Sequence, residues 1–161
     1  MKDTKKILRH AIFNALDGQI TYNSVAVPVV DEKIRNSAPS DLFIVLSSQS
    51  ESQVERNSSS FNTQSSIDID IVQKTGTEVS KDGIDDVYED MLEIIFPSIS
   101  TLGLTVPSGF QFQEGFRESA STFLVQDTPT QSVLVSRVRL TFIIVKQKKR
   151  KKMAVTSLQS N

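Results

Sequence analysis

Apolar positions recur along this chain at two spacings, and the change from one to the other outlines the elements. Ile7, Leu8, Ala11, Ile12, Ala15 and Leu16 form one stripe at helical period, which predicts a helix over 4–17 with Asp3 or Thr4 as N-cap and Gly18 just past its end. His10 falls off the stripe, at a rim position. Residues 19–22 and 25–30 flank Asn23-Ser24 and predict a tight hairpin. Pro28 cannot donate to a ladder, so the second of these strands lies at an edge or ends early. A polar loop over 31–41 follows. The continuous apolar run at 42–46, within a strand over 42–48, predicts burial on both faces.

Residues 47–66 are polar and carry nine serines in twenty positions. They fit either a loop or, better, two strand extensions forming a long polar hairpin, because a strong strand follows at once. Ile67, Ile69 and Ile71 alternate there with Asp68 and Asp70. This carboxylate pair is read as the outward set of a half-exposed strand. A metal or acid–base pair would need a third ligand or a histidine, and neither lies near it in sequence. After a turn at 75–81, residues 82–96 predict a second helix. Its apolar stripe is Ile84, Val87, Tyr88, Met91, Leu92 and Ile95, its cap Ser80 or Asp82, and its stop Pro97. The other face is acidic: Asp82, Asp85, Asp86, Glu89, Asp90 and Glu93. Acids early in a helix suit its dipole; Glu93, near the end, does not, so helix stability alone leaves this face unexplained.

A Ser/Thr/Gly/Pro-rich connection over 98–109 leads into a strand that starts with Phe110, Phe112 and Phe116 and runs to Val125. The phenylalanines are read as core, and Gly115 as a bulge position. After a turn at 127–130, the chain's longest strand, over 132–146, sets Val133, Val135, Arg137 and Arg139 on one face. Leu134, Ser136, Val138, Leu140, Phe142 and Ile144 lie on the other. Residues 110–146 thus read as one long antiparallel pair. The order is α-β-β-β-β-α-β-β, which predicts an α+β fold: an antiparallel sheet with two amphipathic helices packed on one face and a long C-terminal hairpin. Residues 1–146 form a single domain, and 147–161 a basic C-terminal arm.

Composition narrows the chemistry. The 161 residues hold no cysteine, no tryptophan and one histidine, which excludes disulfides, thiolate sites and any mechanism needing two histidines. No apolar stretch approaches the ~20 residues of a membrane span. The amino-terminal Met-Lys-Asp-Thr-Lys-Lys has no apolar run behind it, unlike a secretory signal. Phosphate-loop, dinucleotide, nucleophile-elbow and HExxH motifs are missing. The net charge of −1 hides an asymmetry. Residues 1–127 hold all nineteen acids against ten bases, and 128–161 hold eight bases and no acid. The densest part contains Lys146, Lys148, Lys149, Arg150, Lys151 and Lys152. It reads either as a solvated end that keeps a hydrophobic strand soluble or as a contact for phosphates or an acidic protein face. No cofactor is expected, and an assembly or binding role is favoured over catalysis.

The ordered set of elements resembles the tail-terminator (tail-completion) proteins of tailed bacteriophages. The residues that carry the resemblance are the helix Ile7-Leu8-Arg9-His10-Ala11-Ile12-Phe13-Asn14-Ala15-Leu16 and the hairpin Thr21-Tyr22-Asn23-Ser24-Val25-Ala26-Val27-Pro28-Val29. The strands Leu42-Phe43-Ile44-Val45-Leu46 and Ile67-Asp68-Ile69-Asp70-Ile71-Val72 and the helix segment Asp85-Asp86-Val87-Tyr88-Glu89-Asp90-Met91-Leu92 complete it. It covers about residues 4–96 and is weaker over 97–146. The resemblance implies a non-enzymatic virion protein that forms a ring, hexameric or dodecameric, in the head–tail neck. Its partners would be the portal or connector and the tail tube or other neck proteins. DNA would pass through its channel without sequence-specific binding, and assembly would take place in the bacterial host cytoplasm. The Ser-rich 47–66, the extended final hairpin and the basic end depart from the family's pattern, which leaves another neck ring as the alternative position.

Three expectations follow. The acidic helix face and the basic end, from Arg137 and Arg139 through the lysines, are complements for a ring contact. The polar hairpin with Glu51, Glu55, Arg56 and Phe61 would project into the lumen or onto a neighbouring ring. The alternative function is a nucleic-acid-binding module that tracks phosphates with its basic C-terminal strand and tail; a carboxylate enzyme built on Asp68 and Asp70 ranks below both.

Overall fold

The computed structural model describes residues 4–31, 41–56, 60–75, 81–127 and 132–147. Helix α1 spans Thr4–Leu16 and buries Leu8, Ala11, Ile12 and Leu16, the stripe that the spacing predicts. Gly18, at φ +72°, turns the chain out of it. Helix α2 spans Asp82–Ile95 and buries Ile84, Val87, Met91 and Ile95. Its N-cap is Lys81, with no side-chain hydrogen bond, so Asp82 stands inside the first turn and not at the cap. Its carboxylate there acts through the helix dipole. The other cap candidates, Asp3 and Ser80, lie outside the described residues.

Strands β1 (Thr21–Tyr22) and β2 (Val25–Ala26) form the expected small hairpin. Asn23 and Ser24 both take positive φ, 50° and 64°, the pattern of the tight turn that matches strand twist. The second half does not continue this hairpin. Pro28 has no N–H to donate, and the chain leaves for the main sheet, where β3 (Val29–Val30) pairs parallel with Ile44 and Val45. The Pro28 carbonyl accepts the Ile44 N–H at 2.8 Å. The expected second strand is therefore two short ones, and the otherwise antiparallel sheet has one parallel edge.

The main sheet has the order β3-β4-β5-β7-β6, with β4 at Leu42–Arg56, β5 at Ser60–Thr75, β6 at Phe110–Asp127 and β7 at Ser132–Gln147. Its strands are long and antiparallel from β4 onward. Ile44, Leu46, Ile67, Ile69, Ile71, Val138, Leu140, Phe142 and Ile144 share the face toward the two helices, and each is at most 1% exposed. Burying one such side chain contributes roughly 1.5–3 kcal/mol. Phe43 and Val45 on the opposite face are buried as well, as the unbroken apolar run predicts.

The polar stretch is indeed a hairpin, since Gln49 pairs with Ile67 and Arg56 with Phe61. It does not stand out from the sheet, however. β7 runs beside β5 along its whole length, from Thr75↔Ser132 to Ser60↔Gln147, and β6 follows β7 from Phe110↔Lys146. The expected projecting arm is thus the end of a four-stranded sheet, because the terminal strand is as long as the hairpin it pairs with.

Along β6 the first of three bulges lies at Gln113, between Phe112 and Glu114, and none lies at Gly115. That extra residue swaps the two faces of the strand. Phe110 and Phe112 pack on the core, whereas Phe116 turns to the opposite face and is 42% exposed. Gly115 then sits over Phe142, whose ring would come within 2.6 Å of an added Cβ.

Candidate interaction surfaces

The sheet face away from the helices is crossed by a polar network built on two matching dipeptide spacings. Antiparallel register sets Asp68 opposite Arg139 and Asp70 opposite Arg137. Arg137 grips Asp70 with two hydrogen bonds, Nε to Oδ1 at 2.8 Å and Nη2 to Oδ2 at 3.0 Å. Arg139 spreads wider: Nη1 lies 3.7 Å from Asp68 Oδ1, Nε 3.4 Å from Glu118 Oε2, and Nη2 donates to Ser50 Oγ at 3.0 Å. Ser48 Oγ donates to Asp68 Oδ2, and Thr141 Oγ1 to Glu118 Oε2. Four strands, β4, β5, β7 and β6, are laced together in this way.

The two aspartates are 8% and 9% exposed, and burying an ionised carboxylate is tolerable only with such partners. The hydrogen bond from Arg137 to Asp70, then the charge of Asp70, raises the guanidinium pKa; the Asp68 charge adds to this and desolvation opposes it. Arg137 also stacks over the Phe123 ring, 5.6 Å from its centroid.

This geometry changes the standing of two predicted contact residues. Arg137 and Arg139 are expected to meet a partner, but inside the protomer they are engaged with carboxylates. The signal that finds the network in the sequence is the pair Asp-x-Asp and Arg-x-Arg on strands that alternate at the same period. Asp68 and Asp70 hold arginines, and among the described residues no group of three or more His, Asp or Glu side chains is placed to hold a metal.

On α2, by contrast, Asp82, Asp85, Asp86, Glu89, Asp90 and Glu93 are all exposed. The helix lays its apolar stripe on the sheet and turns this face outward, so the six carboxylates form one acidic surface on the helix side of the molecule. Arg117 reaches the edge of this helix, where its Nη1 donates to Tyr88 Oη at 2.5 Å.

The basic end begins at Lys146, half-buried on β7 and opposite Phe61 and Phe110. Lys148, Lys149, Arg150, Lys151 and Lys152 lie outside the described residues. β7, which precedes them in sequence, ends at Gln147 at the far end of the sheet. Phe96, just past α2, stacks on Phe142 at 6.1 Å, four residues short of Lys146, so the run starts beyond the carboxyl end of α2.

Of the hairpin residues, Glu51 is exposed and its carboxylate accepts a hydrogen bond from Thr4 Oγ1, while Gln49 Nε2 donates to the Lys5 carbonyl at 2.8 Å. The start of the polar hairpin is thereby tied to α1. Glu55 stands in β4, and Arg56 and Phe61 pair across the last rung. His10 is exposed on α1 and lines a groove of about 620 Å³ with Lys6, Asn14 and Pro107. No described helix is long and apolar enough to cross a membrane. Compared with known proteins, the chain matches no family model and no curated sequence.

Proposed function

We propose that this chain is a structural protomer of a ring in the head–tail neck of a tailed phage, joining tail to portal or connector around the DNA channel. The observation that carries the reading is a separation of charge: an outward face of six carboxylates on α2, and a basic run that follows β7 in sequence. A closed ring needs two different surfaces that fit each other, one offered to each neighbour. Opposite charge on separate parts of the molecule supplies such a pair and also speeds correct encounter. The order of elements, the resemblance over residues 4–96 and the wide polar sheet end all suit a wall that DNA slides past.

The test is the mass of the purified protein across concentration and salt, followed by negative-stain imaging. A variant ending at Gln147, which keeps every rung of β7, is the control. Rings at low salt that are lost in the truncated chain are the expected result. A chain that stays monomeric alone and with neck components, yet binds DNA with a steep salt dependence, would overturn it in favour of a nucleic-acid-binding module.

A further inference from the structure

β6 is an outer strand of the sheet, paired with β7 on one side only. Unpaired edges invite strand addition, and proteins usually blunt them with charge, proline or bulges. The first half of β6 is blunted in this way. It carries Glu114, Arg117 and Glu118, and bulges interrupt it between Phe112 and Glu114 and between Arg117 and Ser119. Protection then lapses until a third bulge, between Leu124 and Gln126. Residues 119–125, Ser-Ala-Ser-Thr-Phe-Leu-Val, hold no charge, proline or glycine and are exposed throughout. From Ser119 to Leu124 the ladder with β7 is unbroken, so the outer edge is straight there. Phe123, Leu124 and Val125 are 38%, 45% and 57% exposed.

The geometry points to a second copy of this chain as the occupant, with the β6 edges pairing antiparallel about a two-fold axis at Thr122. Length argues for this first. The other open edges among the described residues are β1, β2 and β3, of two residues each, and the outer side of β4 beyond Val45, which two bulges and the charges of Glu51, Glu55 and Arg56 blunt, so an unblunted six-residue edge finds its match only in itself. Size complementarity comes next. With Thr122 opposite Thr122, Ala120 meets Leu124 and Ser121 meets Phe123, a small side chain against each large one. Even-sum pairing also keeps the faces in step, since Ala120 and Leu124 both lie on the helix side, opposite Val138 and Leu134. Moving the axis two residues back sets Glu118 against Thr122 and Arg117 against Phe123. Moving it two residues forward carries the pairing into the bulge at Val125.

The contact is isologous and stands apart from the ring reading. In a ring built from the charged surfaces it would join two rings back to back. The chain lacks cysteine, so one introduced thiol reports cleanly. Directly opposite residues have Cα atoms about 4.5–5.5 Å apart, within disulfide range. The full chain carrying Thr122→Cys is therefore expected to oxidise to a covalent dimer. Ser119→Cys is not, because the two copies of position 119 lie six rungs apart, about 20 Å.

Sedimentation of Thr122→Lys alone and of Thr122→Glu alone should show dimer dissociation constants raised on the order of tenfold. Mixing the two should restore the wild-type value. Two results overturn the inference: equal crosslinking at both positions, or charge variants that associate as wild type does. A third result also overturns it and gives the edge to residues 148–161: association lost on ending the chain at Gln147, with no effect of charge mixing. Rings that persist in Thr122→Lys leave the ring reading intact, and dimers without rings leave this contact intact.

Discussion

At Gly115 a single hydrogen stands where a methyl group would meet the Phe142 ring, which is fully buried and stacked beneath Phe96. Gly115→Ala must push that ring off its seat, and overpacking of this kind costs about 1–3 kcal/mol, readable as a lowered denaturation midpoint with unchanged slope. Arg137 and Asp70 form the other residue-scale feature with a clear consequence. The arginine side chain is 44% exposed and the aspartate side chain 13%, so solvent screens the pair from one side only. A double-mutant cycle of Arg137→Gln and Asp70→Asn is expected to give a coupling of about 0.5–1.5 kcal/mol. Pairing raises the Arg137 pKa. Its contribution is therefore complete below the guanidinium's unfolded value and fades only as strongly alkaline solution strips the proton. The coupling at neutral and at moderately alkaline pH should accordingly be equal. Loss of coupling between those conditions would show that another group dominates.

Among the elements, the β4–β5 hairpin is the least hairpin-like. β5 has β4 on one side and β7 on the other over its full span, so its polar part, residues 62–66, is an inner strand despite its serines and glutamines. Its amides are expected to exchange with solvent as slowly as those of 67–71 and much more slowly than those of the 105–109 connection. Fast exchange at 62–66 would show that the sheet ends near Ile67. The ladder of Asp68, Asp70, Arg137 and Arg139 also has a task at this scale. A one-residue slip would turn every isoleucine of β5 to the wrong face. A two-residue slip keeps the faces, but it leaves one carboxylate and one guanidinium of the four without their partners. Apolar alternation excludes the first error and the charge ladder penalises the second.

For the whole molecule, the acidic face of α2 and the basic end of β7 define the expected contact between neighbours. Neutralising three exposed acids together, Asp86→Asn, Glu89→Gln and Asp90→Asn, removes favourable charge without touching the buried stripe. Folding stability should stay within about 0.5 kcal/mol, while ring formation should weaken and lose its salt dependence. Rings of undiminished stability would place the contact elsewhere on the surface. The edge of β6 belongs to this scale too, since Leu124 and Val125 stand exposed on it.

Periodicity alone determined the two helices, the strand at the start of β4, the isoleucine face of β5 and the long final pair, because each of these buries one side of a regular element. The α+β class followed from their order. Tertiary structure decided what depends on neighbours. Pro28 sent the chain to a parallel edge, since a missing donor ends a ladder but does not name the next partner. The Gln113 bulge turned Phe116 outward, since one inserted residue reverses the faces and leaves no mark in composition. β7 absorbed the polar hairpin into the sheet, since pairing along its length depends on which strand lies alongside. Arg137 and Arg139, which in one dimension belong to a basic carboxyl-terminal stretch, became partners of Asp70 and Asp68 only when antiparallel register set them side by side.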